Sequence, residues 1–151
     1  MVPMQNCHSP LKSSMRIIIV EDEVAVREVL SEYLGRFGYT IDVLGTGREA
    51  IAQIQKRRYD VAVVDWRLPG ITGRDVILEL LSSSPSTRVL VTTGQITHRL
   101  KHLAANRSQV QIVPKPFSLR NVHRLIQADS TTDPNRNQLL PEGRLKTRSM
   151  P

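Results

Sequence analysis

This sequence is short of the residues that staple, stack or anchor a protein. It has a single cysteine, Cys7, with no partner in the chain, so nothing calls for an oxidising compartment. Its aromatics are one Trp, three Tyr and two Phe, too few and too scattered to form a base-stacking platform. No apolar run approaches the roughly 18 residues of a membrane span, and residues 1–14 lack the apolar core of a secretory signal. A soluble, cytoplasmic protein without membrane contact is therefore expected. Acidic residues are in the minority, with 14 Asp and Glu against 21 Lys and Arg, a formal net charge of +7. Clustered cations neutralise nucleic-acid phosphates, but here they are spread along the chain. Only Lys56-Arg57-Arg58 is a tight run, and it falls where a helix should end, a place that favours cations. A solvated basic surface is the simpler reading, and no direct DNA binding is expected from this chain.

What the sequence does contain is alternation. Its 151 residues match one domain with a real core. Residues 1–14 are polar, with Pro3 and Pro10, and read as a disordered leader; Met15 stands directly before the first strand. Residues 128–151 are polar, with Pro134, Pro141 and Pro151, and read as a disordered basic tail too poor in apolar residues to offset ordering entropy. Between them, residues 15–127 alternate strand-like and helix-like patterns. Ile17-Ile18-Ile19-Val20 is followed by Val24, Val26, Val29, Leu30, Tyr33, Leu34 and Phe37, one apolar helix face closed by Gly38. A short strand over 39–44, a Gly45-Thr46-Gly47 turn and a helix bearing Ala50, Ile51 and Ile54 come next. The apolar run Val61 to Asp65 leads through Gly70 and Gly73 to a helix with Val76, Ile77, Leu80 and Leu81, stopped by Ser82-Ser83-Ser84-Pro85. Val89-Leu90-Val91, a weaker helix over 98–105, Val110 to Val113 and a helix capped by Ser118 complete the pattern. Five strands alternating with five helices imply a parallel sheet with right-handed crossovers. The simplest doubly wound α/β solution is flavodoxin-like, with strand order 2-1-3-4-5.

In that order four polar groups meet. Open α/β sheets keep their sites at the C-terminal strand edge, and the first strand delivers Glu21-Asp22-Glu23 there. The third ends in Asp65 just before Trp66-Arg67-Leu68-Pro69-Gly70, the fourth delivers Thr92-Thr93-Gly94, and the fifth Pro114-Lys115-Pro116. Taken singly, each has an ordinary structural reading as a loop, cap or turn residue. Together they bring Glu21, Asp22, Asp65, Thr93 and Lys115 into one crevice. Carboxylates a few ångströms apart repel by something like 3–4 kcal/mol per pair at an effective dielectric near 20. Either one of them holds a proton or a cation sits among them, and a hard divalent ion such as Mg2+ suits an oxygen donor set. A phosphoryl group needs such an arrangement, with Lys115 and Thr93 for its other oxygens and Asp65 as nucleophile.

These motifs resemble those of response-regulator receiver domains of two-component signalling. IIIVEDE is similar to the family's first strand and acidic pair, VAVVDWRLPG to its acceptor strand, VLVTTG to its switch strand and VPKPF to its lysine motif. The resemblance covers residues 16–127. It implies that Asp65 accepts phosphate from a histidine kinase or phosphotransfer protein. It also implies that Glu21, Asp22, Asp65 and the main-chain carbonyl of Arg67 hold Mg2+, that Thr93 is the switch hydroxyl while Thr92 points away, and that Lys115 contacts the phosphoryl group before a cis Pro116. Ile112 stands where the family usually has an aromatic partner for the switch hydroxyl, and Asn106-Arg107-Ser108 where a Gly is common, at the surface of the fourth helix, fifth strand and fifth helix where such domains often form homodimers. Arg67 and Gln95 should flank the phosphoryl group, the long Arg67 obstructing water and Gln95 contributing less.

The functional expectation is a Mg-dependent phosphoacceptor signalling domain, not an enzyme acting on other molecules, that switches protein–protein interactions. Its effect would reach a downstream protein target, or an output domain outside this chain. The alternative is a receiver-like interaction module that acts without phosphorylation. A flavodoxin-like enzyme fits poorly because Glu21-Asp22-Glu23 would repel a bound phosphate, and a haloacid-type phosphatase would want an aspartate where Arg67 stands. Trp66 reads as loop packing. His98 and His102 share a helix face at metal-ligand spacing, but no third ligand is evident.

Overall fold

A computed structural model describes residues 14–128. The leader and tail expected at 1–14 and 128–151 lie outside the described residues except for Ser14 and Ala128. Strands β1 (Arg16–Val20), β2 (Thr40–Leu44), β3 (Val61–Asp65), β4 (Arg88–Thr93) and β5 (Val110–Pro114) alternate with helices α1 (Val24–Gly35), α2 (Gly47–Lys56), α3 (Gly73–Ser83), α4 (His98–Ala105) and α5 (Leu119–Gln127). The sheet is parallel throughout, in the order β2-β1-β3-β4-β5. The flavodoxin-like expectation holds strand for strand.

Strand periodicity explains why the apolar runs are continuous, since both faces of a covered parallel sheet need apolar side chains. Ile18, Val20, Ala62, Val64, Val89 and Val91 face a core built with α2, α3 and α4. Ile17, Ile19, Val61, Val63, Leu90 and Val113 face a second core with α1 and α5. All five residues of β3 are buried, which holds its terminal Asp65 in a low-dielectric setting.

Four helices start on hydroxyl caps. The Thr46, Thr97 and Ser118 side chains accept from the amides of Glu49, Leu100 and Asn121, and Thr72 forms a reciprocal capping box with Asp75. The cap at Thr97 explains how α4 forms despite its weak apolar pattern, with Leu100 and Ala104 as its buried anchors. At the far end, Arg88 donates to the carbonyl of Leu125 at 3.1 Å and also to those of Ile126 and Ala128. A cation there satisfies carbonyls that the end of α5 leaves without helical partners.

Helix α1 departs from the expected single apolar face. Only Leu30 and Leu34 are buried, with Val26 and Tyr33 packed against the second core, whereas Val24 and Val29 are about half exposed. The rest of the apolar stripe faces the segment that leads into α5. Val26, Val29 and Leu30 there line a groove of about 600 Å³ with Pro116, Phe117 and Leu119. The helix itself ends at Gly35, and Gly38 closes the turn beyond it at a φ of 79°. Phe37 lies outside the helix and stacks on His123, with ring centroids 3.6 Å apart.

Candidate functional site

The site sits where β1, β3, β4 and β5 end together. Val20 pairs with Val64, so the residues that follow, Glu21 and Asp65, emerge side by side. Glu21 is 1% exposed and Asp65 6%, while Asp22 is open to solvent. One carboxylate oxygen from each of the three lies within 4.8 Å of the others. Lys115 follows β5, whose register is tied to β4 by a bond from its amide to the Thr93 carbonyl at 2.7 Å. Its long side chain reaches back across β4, placing Nζ 3.0 Å from Glu21 Oε2 and 3.1 Å from Asp65 Oδ2. The Lys115-Pro116 peptide is cis, as the resemblance implied.

One ammonium among three carboxylates leaves an excess of negative charge. Burial pushes the Glu21 carboxyl up to about 7, against the pull of the Lys115 hydrogen bond, and the neighbouring Asp65 charge adds to the rise. For Lys115 burial acts downward, but its hydrogen bonds to Glu21 and Asp65 prevail and hold the ammonium above its ordinary range. The donor set is hard, anionic and short of positive charge, the chemistry that suits a divalent cation with oxygen ligands.

The second oxygen of Asp65, Oδ1, accepts from the Arg67 amide at 2.9 Å. The loop that makes this bond is held close by Gly73 at the start of α3. A Cβ there would stand 2.1 Å from the Asp65 carbonyl oxygen and 2.8 Å from Trp66 Cα, so only glycine lets the helix approach. Trp66 packs partly buried against the first core, as loop packing. Asp65 thus has one oxygen on an ammonium and the other on a main-chain amide, an oriented carboxylate that the two other carboxylates flank.

Thr93 is buried at the end of β4, and strand alternation puts its side chain on the face opposite Thr92. Its hydroxyl donates to the Gln95 carbonyl at 2.8 Å and accepts from the Gln95 amide at 3.2 Å. The expected switch hydroxyl is therefore at the site's edge but folded onto its own loop. Arg67 does not extend freely into solvent: Nη2 donates to Gln95 Oε1 at 2.8 Å. Ile112 packs partly buried against the first core in the place where an aromatic was expected. His98 and His102 are exposed and, among the described residues, join no cluster of three metal-ligating groups.

Two contributors escaped the sequence reading. Arg27, the one basic residue of α1, donates from Nη1 to the Glu21 carbonyl at 2.9 Å and fixes the acidic turn. The signal was a lone arginine six residues after Glu21. Gln95 was noted as a flank of the site, but not as the shared partner of Arg67 and Thr93, because nothing local in the sequence joins two loops 28 residues apart.

This fold and site define a class, and the comparisons agree. The family model for the response regulator receiver domain matches residues 17–127. The chain belongs to that family. It is 33% identical over 116 residues to the two-component response regulator PhoP of Pseudomonas aeruginosa, covering 76% of this chain and 51% of that protein. It is 34% identical over 124 residues to the transcriptional regulatory protein TcrA of Mycobacterium tuberculosis, covering 81% and 48%. The chain thus spans about half the length of the curated relatives it matches. Among solved structures, chemotaxis protein CheY4 of Vibrio cholerae superposes with a TM-score of 0.69 at 26% identity, over 76% of this chain and 98% of that one. Adenylate cyclase of Rhodopirellula baltica does so with 0.67 at 30%, over 75% and 84%. No helix among the described residues is long and apolar enough to cross a membrane.

Proposed function

We propose that Asp65 accepts a phosphoryl group from the histidine of a kinase or phosphotransfer protein, and that the acyl phosphate alters which proteins this domain binds. The observation that carries this reading is the buried Asp65 carboxylate, held between the Lys115 ammonium and the Arg67 amide with Glu21 and Asp22 beside it. In the transfer, an Asp65 oxygen forms a bond to phosphorus as the donor's nitrogen–phosphorus bond breaks, and the electron pair returns to the imidazole, which takes up a proton. Lys115 neutralises one phosphoryl oxygen, and the Thr93 hydroxyl turns from Gln95 to bond another. Glu21, Asp22 and Asp65, with the Arg67 main-chain carbonyl, would hold Mg2+, whose charge offsets the crowded oxygens during transfer. Three carboxylates share a single ammonium there, a crowding of negative charge that a cation would relieve.

A phosphoryl group adds charge and acceptor oxygens at one point, which loops with two arrangements convert into a new surface. The output is a downstream protein or a domain outside this chain, and the surface of α4, β5 and α5 is the place for a homodimer. The test is mass spectrometry after incubation with acetyl phosphate and Mg2+. One added phosphoryl mass is expected on wild type and none on Asp65→Asn, which keeps the shape without the nucleophile. An Asn variant that still gains the mass would remove Asp65 as acceptor. Ile112 favours a second reading, an interaction module that signals unphosphorylated. Wild type that neither labels nor binds beryllofluoride with Mg2+ would support it.

A further inference from the structure

Gln95 holds two groups that the phosphoacceptor reading assigns to the phosphoryl oxygens. Its side-chain Oε1 accepts from Arg67 Nη2 at 2.8 Å, its main-chain carbonyl accepts from the Thr93 hydroxyl at 2.8 Å, and its amide donates to that hydroxyl at 3.2 Å. Arg67 makes no ion pair among the described residues. A guanidinium two residues from a cluster of carboxylates is thus engaged by a neutral amide. Both Arg67 and Gln95 are exposed, and Gly94, the joint between Thr93 and Gln95, has open space around it. The contact is set across two loops that nothing else on these side chains anchors.

We infer that Gln95 is a positioning residue, a latch that keeps the Arg67 guanidinium and the Thr93 hydroxyl off the acceptor until Asp65 carries a phosphoryl group. The inference rests on the phosphoacceptor reading of Asp65. A charged phosphoryl oxygen is a stronger partner for a guanidinium than a neutral amide oxygen, because it adds the attraction of opposite charges and accepts in the planar fork geometry that guanidinium groups favour. Arg67 therefore exchanges Gln95 for the phosphoryl group, and the loop that Gln95 heads is released as Thr93 turns inward. The two loops move together without any aromatic on β5, where Ile112 stands. The latch opposes capture of the phosphoryl group by the worth of the bond it forfeits, since a ligand shifts a two-state equilibrium only by its differential affinity.

The experiment measures binding of beryllofluoride, a phosphoryl mimic on carboxylates, in the presence of Mg2+. Fluorescence of Trp66, next to Asp65 and the chain's one tryptophan, is the readout. Four proteins are compared: wild type, Gln95→Ala, Arg67→Ala and the double variant. Gln95→Ala should bind roughly 3- to 10-fold more tightly, the range that the net worth of one ordinary hydrogen bond allows. Arg67→Ala should bind more weakly, and the double variant should match Arg67→Ala, because without Arg67 the Gln95 side chain has nothing to hold. A Gln95→Ala variant that binds like wild type or more weakly overturns the latch, as does a gain that survives in the absence of Arg67. Wild type that gives no response with beryllofluoride overturns the phosphoacceptor reading itself and the latch with it. Thermal midpoints of all four should coincide, since both side chains are exposed, which separates positioning from folding.

Discussion

Replacing Gly73 with alanine should damage both the fold and the acceptor, and the structure sets the size of the effect. The added Cβ would stand 2.1 Å from the Asp65 carbonyl oxygen, 2.8 Å from Trp66 Cα and 2.9 Å from the Asp65 carbonyl carbon. A carbon–oxygen contact needs about 3.3 Å, so α3 or the end of β3 must move by about 1 Å. Neither has slack. Helix α3 is fixed by the buried Val76, Ile77 and Leu80, and β3 is buried along its whole length between β1 and β4, in a core packed too densely to yield cheaply. The obstructing atoms are backbone, which no rotamer change can clear. A cost of about 3 kcal/mol is expected, the upper end of the overpacking range, or a fall of roughly 10 °C in Tm. The same shift moves Asp65 and Trp66, and a misplacement of that size slows positioned chemistry by on the order of 10²-fold, read as the rate of labelling by acetyl phosphate. Gly94→Ala is the control. Its Cβ meets nothing within 4 Å, so stability should change by no more than about 0.5 kcal/mol. Unfolding free energies of the two variants, from urea titration, that agree within about 0.5 kcal/mol would refute the close-approach argument.

Millimolar Mg2+ should raise the Tm of wild type by relieving repulsion among Glu21, Asp22 and Asp65, and Asp22→Ala should erase the rise; a melting curve that Mg2+ leaves in place counts against the acidic pocket. The Glu21 carboxyl sits at about 7 in the fold against an ordinary 4.5, so the native state holds this proton more tightly than the unfolded one. Its contribution is fully present below pH 4.5 and is lost as pH rises through about 7. Metal-free wild type should therefore lose on the order of 3 kcal/mol relative to Glu21→Gln between those limits and pH 8 (~8), and parallel urea titrations of the two proteins would contradict it. Arg67→Ala should shorten the half-life of the phosphorylated protein several-fold by uncovering the line of approach for water, and a decay rate equal to or slower than wild type would dismiss the shielding.

Much of the fold was legible because its signals are local. Continuous apolar runs at Ile17–Val20 and Val61–Val64 need no partner to announce a strand covered on both faces, and the Pro69-Gly70 turn marks where β3 ends. Parallel connection and right-handed crossover then permit few sheet orders, and the observed one places Glu21 beside Asp65 whatever the side chains around them do. The presence of Asp65, Glu21, Asp22, Thr93 and Lys115 at one edge followed from strand ends alone. Helix α1 has the apolar residues expected of it, but only packing decided that Leu30 and Leu34 are covered while Val24 and Val29 stay half exposed. Where the guanidinium of Arg67 turns was likewise decided by tertiary structure. Side-chain hydrogen bonds between loops far apart in sequence depend on how closely helix starts approach one sheet edge, which Gly73 decides for α3 and no sequence period records.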